Sequence, residues 1–138
     1  MILVGTSKYA DENLPDLPAV VKTISDLKAA LTHPDYGLVP PAHCAELVDE
    51  GDIRLLGRRL TSAARQAEDL LLVFFAGHGL LGPVRHDLYL GLPDSEWAGP
   101  EFNSLEYDKL RSAVLESCAV TKIIILDCCF SGRVVTDT

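Results

Sequence analysis

Lys122-Ile123-Ile124-Ile125-Leu126-Asp127-Cys128-Cys129-Phe130-Ser131-Gly132 is the stretch on which the fold turns. Four apolar residues in a row, three of them β-branched, read as a strand buried on both faces, the pattern of a parallel sheet. The run stops at Asp127-Cys128-Cys129, and a Ser131-Gly132 turn follows. A second stretch ends in the same way, with Leu70-Leu71-Leu72-Val73-Phe74-Phe75-Ala76 running straight into Gly77-His78-Gly79. Parallel α/β sheets carry their chemistry at the carboxyl ends of strands. If these two strands are neighbours, an imidazole and a thiol meet at one sheet edge.

A Cys and a His remote in sequence but adjacent in a fold supply a thiolate nucleophile and its general base. Strand alternation turns Asp127 and Cys129 to one side and Cys128 to the other, toward the core. Cys129 is therefore the candidate nucleophile, against the alternative of a buried structural thiol. His78 is the candidate base, against the alternative of a loop histidine kept for turn geometry. Its flanking glycines leave room for a substrate backbone.

Phe74-Phe75-Ala76-Gly77-His78-Gly79 and Asp127-Cys128-Cys129-Phe130-Ser131-Gly132 resemble the two catalytic motifs of the caspase-like cysteine peptidases. The resemblance is to the metacaspase, paracaspase and bacterial branch, since animal caspases carry Gln-Ala-Cys at the nucleophile. His78 and Cys129 are 51 residues apart, against about 50 in the caspase pattern. The resemblance implies a cysteine endopeptidase with an oxyanion hole made by the backbone N–H groups of Gly79 and Cys129. It implies that Asp127 lines the S1 pocket and pairs with Arg or Lys at P1, the alternative being a cap or turn residue. Ser7 and Tyr9 match the family's first strand and loop and are candidate walls of the cleft, with a structural role equally open. One departure stands out: Leu17-Pro18-Ala19-Val20-Val21-Lys22-Thr23 puts Lys22 and Thr23 where the family has a second acidic position. Asp26 or Asp11 would have to substitute. Many metacaspases need calcium, and Asp94 and Glu96 are the carboxylates available, though two acids in a loop are common.

In caspase-like folds the sheet continues past the nucleophile with strands often supplied by a small subunit. This sequence ends nine residues after Cys129, so residues 1–138 are expected to form the large-subunit portion, with partner strands from elsewhere. The resemblance further implies a zymogen activated by processing, acting on protein substrates in a bacterial signalling, defence or cell-death pathway. Two rivals remain: an inert caspase-like interaction module, and a flavodoxin-like binding domain.

Composition sets wider bounds. A chain of 138 residues is one domain with a real core. Net charge is −8, from 12 basic and 20 acidic residues with no basic cluster, which argues against nucleic acid and anionic membranes. The longest apolar run, Leu70 to Ala76, is far short of the roughly 20 residues a bilayer span takes, and Met1-Ile2-Leu3-Val4-Gly5 lacks the charged start of a signal peptide. Four cysteines, two of them adjacent, form no disulfide framework, so a reduced cytoplasmic protein is expected. No Cys or His spacing matches a metal site.

In chain order the expectations are a strand at Ile2 to Gly5, a loop to Pro18, and a helix with its stripe on Leu17, Val20, Ile24, Leu27 and Leu31. A more polar strand follows at Cys44 to Asp49. Asp52 then caps a helix whose outer face is rich in Arg. After the Leu70–Ala76 strand come a small strand or hairpin over Val84 to Leu92 and a loop with Trp97 and Phe102. A capping box at Asn103 and Glu106 opens a helix to about Ser117. The fold class expected is a three-layer α/β/α sandwich around a mostly parallel sheet.

Overall fold

The computed structural model describes residues 1–129, so Phe130 and the Ser131-Gly132 turn lie outside the described residues. Four strands form a wholly parallel sheet: β1 (Ile2–Gly5), β2 (Ala45–Val48), β3 (Leu70–Ala76) and β7 (Thr121–Asp127), in the order β2-β1-β3-β7. A second, antiparallel sheet is made of β4 (Gly79–Leu81), β5 (Leu88–Leu90) and β6 (Leu105–Glu106).

The strand order fixes where the helices go. From β1 the chain steps outward to β2, then steps back across β1 to β3 and onward to β7. Right-handed crossovers with opposite senses of travel put their helices on opposite faces. Accordingly α1 (Ala19–Leu31) packs Val20 and Ile24 on one face against Leu3, Leu72 and Phe74. On the other face, α2 (Ile53–Gln66) and α3 (Tyr107–Leu115) pack Leu56, Leu60, Leu110 and Val114 against Ile2, Val4, Val73 and Phe75. The molecule is thus a mixed α/β protein with helices on both sides of a parallel sheet.

Local chemistry explains the element ends. Asp52 accepts from the N–H groups of Arg54 and Leu55 and opens α2. Gly5 ends β1 where α1 crosses it, and a Cβ there would lie 2.7 Å from Val20 Cγ1. The strand expected over Val84 to Leu92 is shorter, Leu88–Leu90, and pairs with β4 and β6.

Three expectations are corrected. Asn103 and Glu106 do not form a capping box: the Asn103 side chain accepts from the Glu96 N–H and donates to the Gly99 carbonyl, and Leu105–Glu106 is drawn into pairing with β5. The third helix therefore starts at Tyr107 and ends at Leu115, where Ser117 leaves it to donate its hydroxyl to the Ala64 carbonyl. The strand β7 is not buried on both faces. Ile124 and Leu126 pack toward α2 and α3, but Ile123 and Ile125 face the α1 side at 36% and 43% exposure. Among the described residues no helix covers that side of β7, because α1 lies mainly over β1 and β2. No described helix is long and apolar enough to cross a membrane.

Phe75 is fully buried whereas Ile125 is half exposed. Phe75→Ala is therefore expected to lower unfolding free energy by about 3–5 kcal/mol, and Ile125→Ala by less than about 1 kcal/mol. Equal losses by urea titration would show that the open face of β7 is covered.

Candidate active site

Two strand ends and one loop build the site. Ala76 is in register with Asp127, and the Gly77 N–H extends the ladder by donating to the Asp127 carbonyl at 3.3 Å. His78 and Cys129 each follow two residues after these paired strand ends. Sheet travel reverses between β1 and β3, since β1 leads to β2 and β3 leads to β7. Their carboxyl ends therefore flank the crevice where diverging loops leave room for a ligand.

The two thiols differ. Cys128 is half-buried against the α2/α3 core, and burial first, then the neighbouring Cys129 and Asp127, pushes its pKa up to about 11. It stays a protonated, poorly nucleophilic thiol near neutral pH. Cys129 is exposed just past the end of β7, as is Asp127, the last residue of that strand. Gly79 lies hard against this turn: a Cβ on it would overlap the Cys129 carbonyl oxygen and come within 3.3 Å of Cys128 Sγ. Only glycine lets the two backbones lie this close.

His78 is fixed from three sides. Its Nε2 lies 2.7 Å from the Pro15 carbonyl oxygen. A carbonyl only accepts, so Nε2 carries the proton and Nδ1 is the free basic nitrogen. Its backbone N–H donates to the Tyr9 hydroxyl at 2.8 Å, and its own carbonyl accepts from the Gly91 N–H at 2.8 Å. The Tyr9 and His78 rings are 4.7 Å apart. Burial, the largest influence, pushes the Tyr9 pKa up to about 12, so the phenol keeps its proton and donates it to the Thr6 carbonyl. Gly77 and Gly91 leave room for this arrangement, since a Cβ on Gly77 would sit 2.8 Å from Tyr9 Oη and one on Gly91 3.0 Å from His78 O.

The loop carrying Pro15 and Tyr9 is held by Asp49, at the carboxyl end of β2. Its carboxylate accepts from the Ser7 N–H, the Ser7 hydroxyl and the Lys8 N–H. Asp49 has a left-handed backbone, φ 56°, which aspartate tolerates better than most residues. Burial, the largest single influence, pulls its pKa upward, but those hydrogen bonds and the Lys8 charge outweigh it and hold the carboxyl below its usual value. Thr6 adds a buried bond from its hydroxyl to the Gly91 carbonyl.

The candidate residues thus separate. His78, Gly79, Asp127 and Cys129 share one sheet edge. Tyr9 joins them as a support behind His78. Ser7 is buried with its hydroxyl given to Asp49, which makes it an anchor of the loop rather than a wall of an open cleft. Neither substitute acid completes a pair with Asp127. Asp26 is engaged by Lys22 on the exposed face of α1. The Asn13 and Trp97 N–H groups lower the pKa of Asp11 and occupy its carboxylate. Thr23 gives its hydroxyl to the Ala19 carbonyl. Among the described residues no group of three or more His, Cys, Asp and Glu gathers to hold a metal, and Asp94 and Glu96 belong to no such group.

Pro15, which holds the His78 ring, and Asp49, which holds the loop, are the two supports of the candidate site that the sequence reading did not nominate. Pro15 acts through a carbonyl every residue possesses, so its side chain carries no signal. Asp49 had one: an acid at the carboxyl end of a parallel strand, next to the strand whose loop it holds.

A scan against protein-family models finds no match, and a search of curated proteins finds no significant one.

The Gly79 contact and the Asp49 anchor are each open to a direct test. Gly79→Ala must displace the Cys129 backbone, with an expected loss of about 1–3 kcal/mol of stability and, by crystallography of the variant, a shifted Cys129; an unmoved Cys129 refutes the contact. Asp49→Asn keeps the left-handed backbone but removes the charge, and is expected to cost about 1–3 kcal/mol at pH 7. Because the folded-state pKa is depressed, this contribution is complete above the ordinary carboxylate range and is lost as pH falls through the lowered value. Denaturation curves of wild type and Asp49→Asn should therefore converge on acidification, and a penalty independent of pH contradicts the charge-based anchor.

Proposed function

We propose that the chain is the large-subunit portion of a caspase-like cysteine endopeptidase, with Cys129 as nucleophile and His78 as general base. One observation carries the reading: His78 and Cys129 each lie two residues past the in-register ends, Ala76 and Asp127, of adjacent parallel strands, with the imidazole held by Pro15 in the tautomer that frees Nδ1. A caspase-like fold is the finer description of the α/β/α arrangement that goes with it.

In the reaction, His78 Nδ1 takes the proton from Cys129 Sγ, and the thiolate adds to the scissile carbonyl carbon. The resulting oxyanion is received by the backbone N–H groups of Gly79 and Cys129. The imidazolium returns its proton to the amine nitrogen as the C–N bond breaks, leaving a thioester on Cys129. Water then gives a proton to Nδ1, adds to the thioester and releases the carboxylic acid and the thiol. Asp127, exposed at the end of the strand that leads to Cys129, would receive Arg or Lys at P1. It acts without a second carboxylate, since Asp11 and Asp26 are engaged elsewhere, so the basic preference is expected to be graded rather than absolute.

The outer edge of β7, unpaired among the described residues, and the exposed Ile123 and Ile125 support a partner segment that adds strands there, as a small subunit does. Processing of a precursor and a role in bacterial defence or cell death in the cytoplasm belong to the same proposal.

The test is hydrolysis of fluorogenic peptides varied at P1 by the full-length protein, with intact mass recorded for self-cleavage. Cys129→Ala is expected to abolish turnover, His78→Ala to lower it by about 10²–10⁴-fold, and Cys128→Ser to leave it within a few-fold. Asp127→Asn should narrow the advantage of Arg and Lys over neutral residues. Activity that survives Cys129→Ala, or that is lost only with Cys128, sinks the assignment.

A further inference from the structure

The outward face of α2 carries a second surface, remote from the cysteine chemistry. Arg54, Arg58 and Arg65 stand in one stripe along an open groove of about 670 Å³, with Gly57 and Thr61 between them. No acidic residue occurs anywhere in Ile53–Gln66, and no described ion pair involves these arginines. Solvated helix faces ordinarily interleave the two signs, because like charges four residues apart destabilise a helix. Arg54, in the first turn, also opposes the helix dipole.

Gly57 is a second, independent oddity on the same groove. A glycine inside a helix is less favourable than alanine, and it is usually explained by a neighbour that needs the space. Here a Cβ would meet nothing within 4 Å. The helix therefore retains two unfavourable features, a run of like charge and a bare backbone, and they coincide on one surface.

Charge chooses the occupant. An isologous contact between two copies through this face would set arginine against arginine. Nucleic acid is disfavoured by the acidic remainder of the chain, with a sequence pI of about 4.8. Guanidinium forks match carboxylates in bidentate geometry, and Gly57 with Thr61 allows another backbone to come close. We infer that the α2 groove docks an acidic segment of a partner protein, its carboxylates facing Arg54, Arg58 and Arg65 and its backbone passing over Gly57. This surface does not depend on the peptidase reading.

The experiment uses the full-length protein as Cys129→Ala, and a fluorescein-labelled helical peptide of Glu and Ala as probe, read by fluorescence anisotropy. Saturable binding is expected, weakened at least about tenfold by the R58E/R65E double variant. Gly57→Leu, which leaves the charge unchanged, should weaken it at least about fivefold. Gly57→Ala should raise the melting temperature by about 3–6 °C, showing that the fold does not require the glycine, and circular dichroism confirms that each variant is folded. Absence of binding, binding insensitive to charge reversal, or binding lost with charge but indifferent to Gly57→Leu (a diffuse attraction only) overturns the inference. So does tighter binding of a polythymidine strand than of the acidic peptide.

Discussion

The parallel pairing of Leu70–Ala76 with Thr121–Asp127 is the constraint on which the site depends. β3 is buried on both faces whereas β7 has one half-buried and one exposed face, so a slip of one residue would transfer every β7 side chain to the other face. In β7 that slip would turn Cys128 outward and send Cys129 toward the core. Ile123 and Ile125 could replace Ile124 and Leu126 in the α2/α3 cluster, so what opposes the slip is Asp127, whose carboxylate it would turn toward the core. The identity of the exposed thiol is therefore tied to the register of the strand that precedes it. Gly79 then fixes the separation of the two strand ends, since nothing larger fits against Cys129.

The imidazole depends on a different kind of interaction. Pro15, Tyr9 and Thr6 all belong to the loop that leaves β1, and that loop has few apolar anchors besides Leu14 and Leu17. It is tied instead by polar bonds: Asp49 to Ser7 and Lys8, Asp16 to the Tyr9 N–H, and Thr6 to Gly91. Charged acceptors such as Asp49 make stronger bonds than neutral ones. The strand end that presents the thiol is thus set by strand register, while the loop that orients the base is set by hydrogen bonds.

Much of this was legible in the residues because the deciding signals are strong and local. Leu70–Ala76 is an unbroken apolar run with a glycine after it, and its bounds are those expected. Asp52 and the stripe on α1 are equally plain. The misreadings occur where tertiary context outweighs local pattern. Asn103 and Glu106 have capping-box spacing, yet the Asn103 amide is taken by Gly99 and Glu96, and two residues of strand are formed where a helix start was expected. Strands of two or three residues such as β4 and β6 have too few positions to show a period. For Ile123 and Ile125, an apolar run cannot tell a face already covered from one that awaits cover.

The two edges of the parallel sheet are managed in opposite ways. β2 is four residues long, holds Glu46 near the Lys28 ammonium, and is an edge of modest hazard. β7 is seven residues long, uncharged between Lys122 and Asp127, and carries exposed isoleucines on one face. Among the described residues nothing pairs with its outer edge, and an uncovered edge of that length and character invites pairing with another strand. Natural sheets blunt such edges with charge, proline or short length, and β7 uses none of these over its central residues. The proposed small-subunit partner would remove both liabilities at once: its strand would satisfy the free backbone groups, and its apolar face would cover Ile123 and Ile125. Covering that face would also wall the side of the strand that bears Asp127, whose exposed end leads to Cys129, so the proposed segment that completes the sheet would also border the cleft.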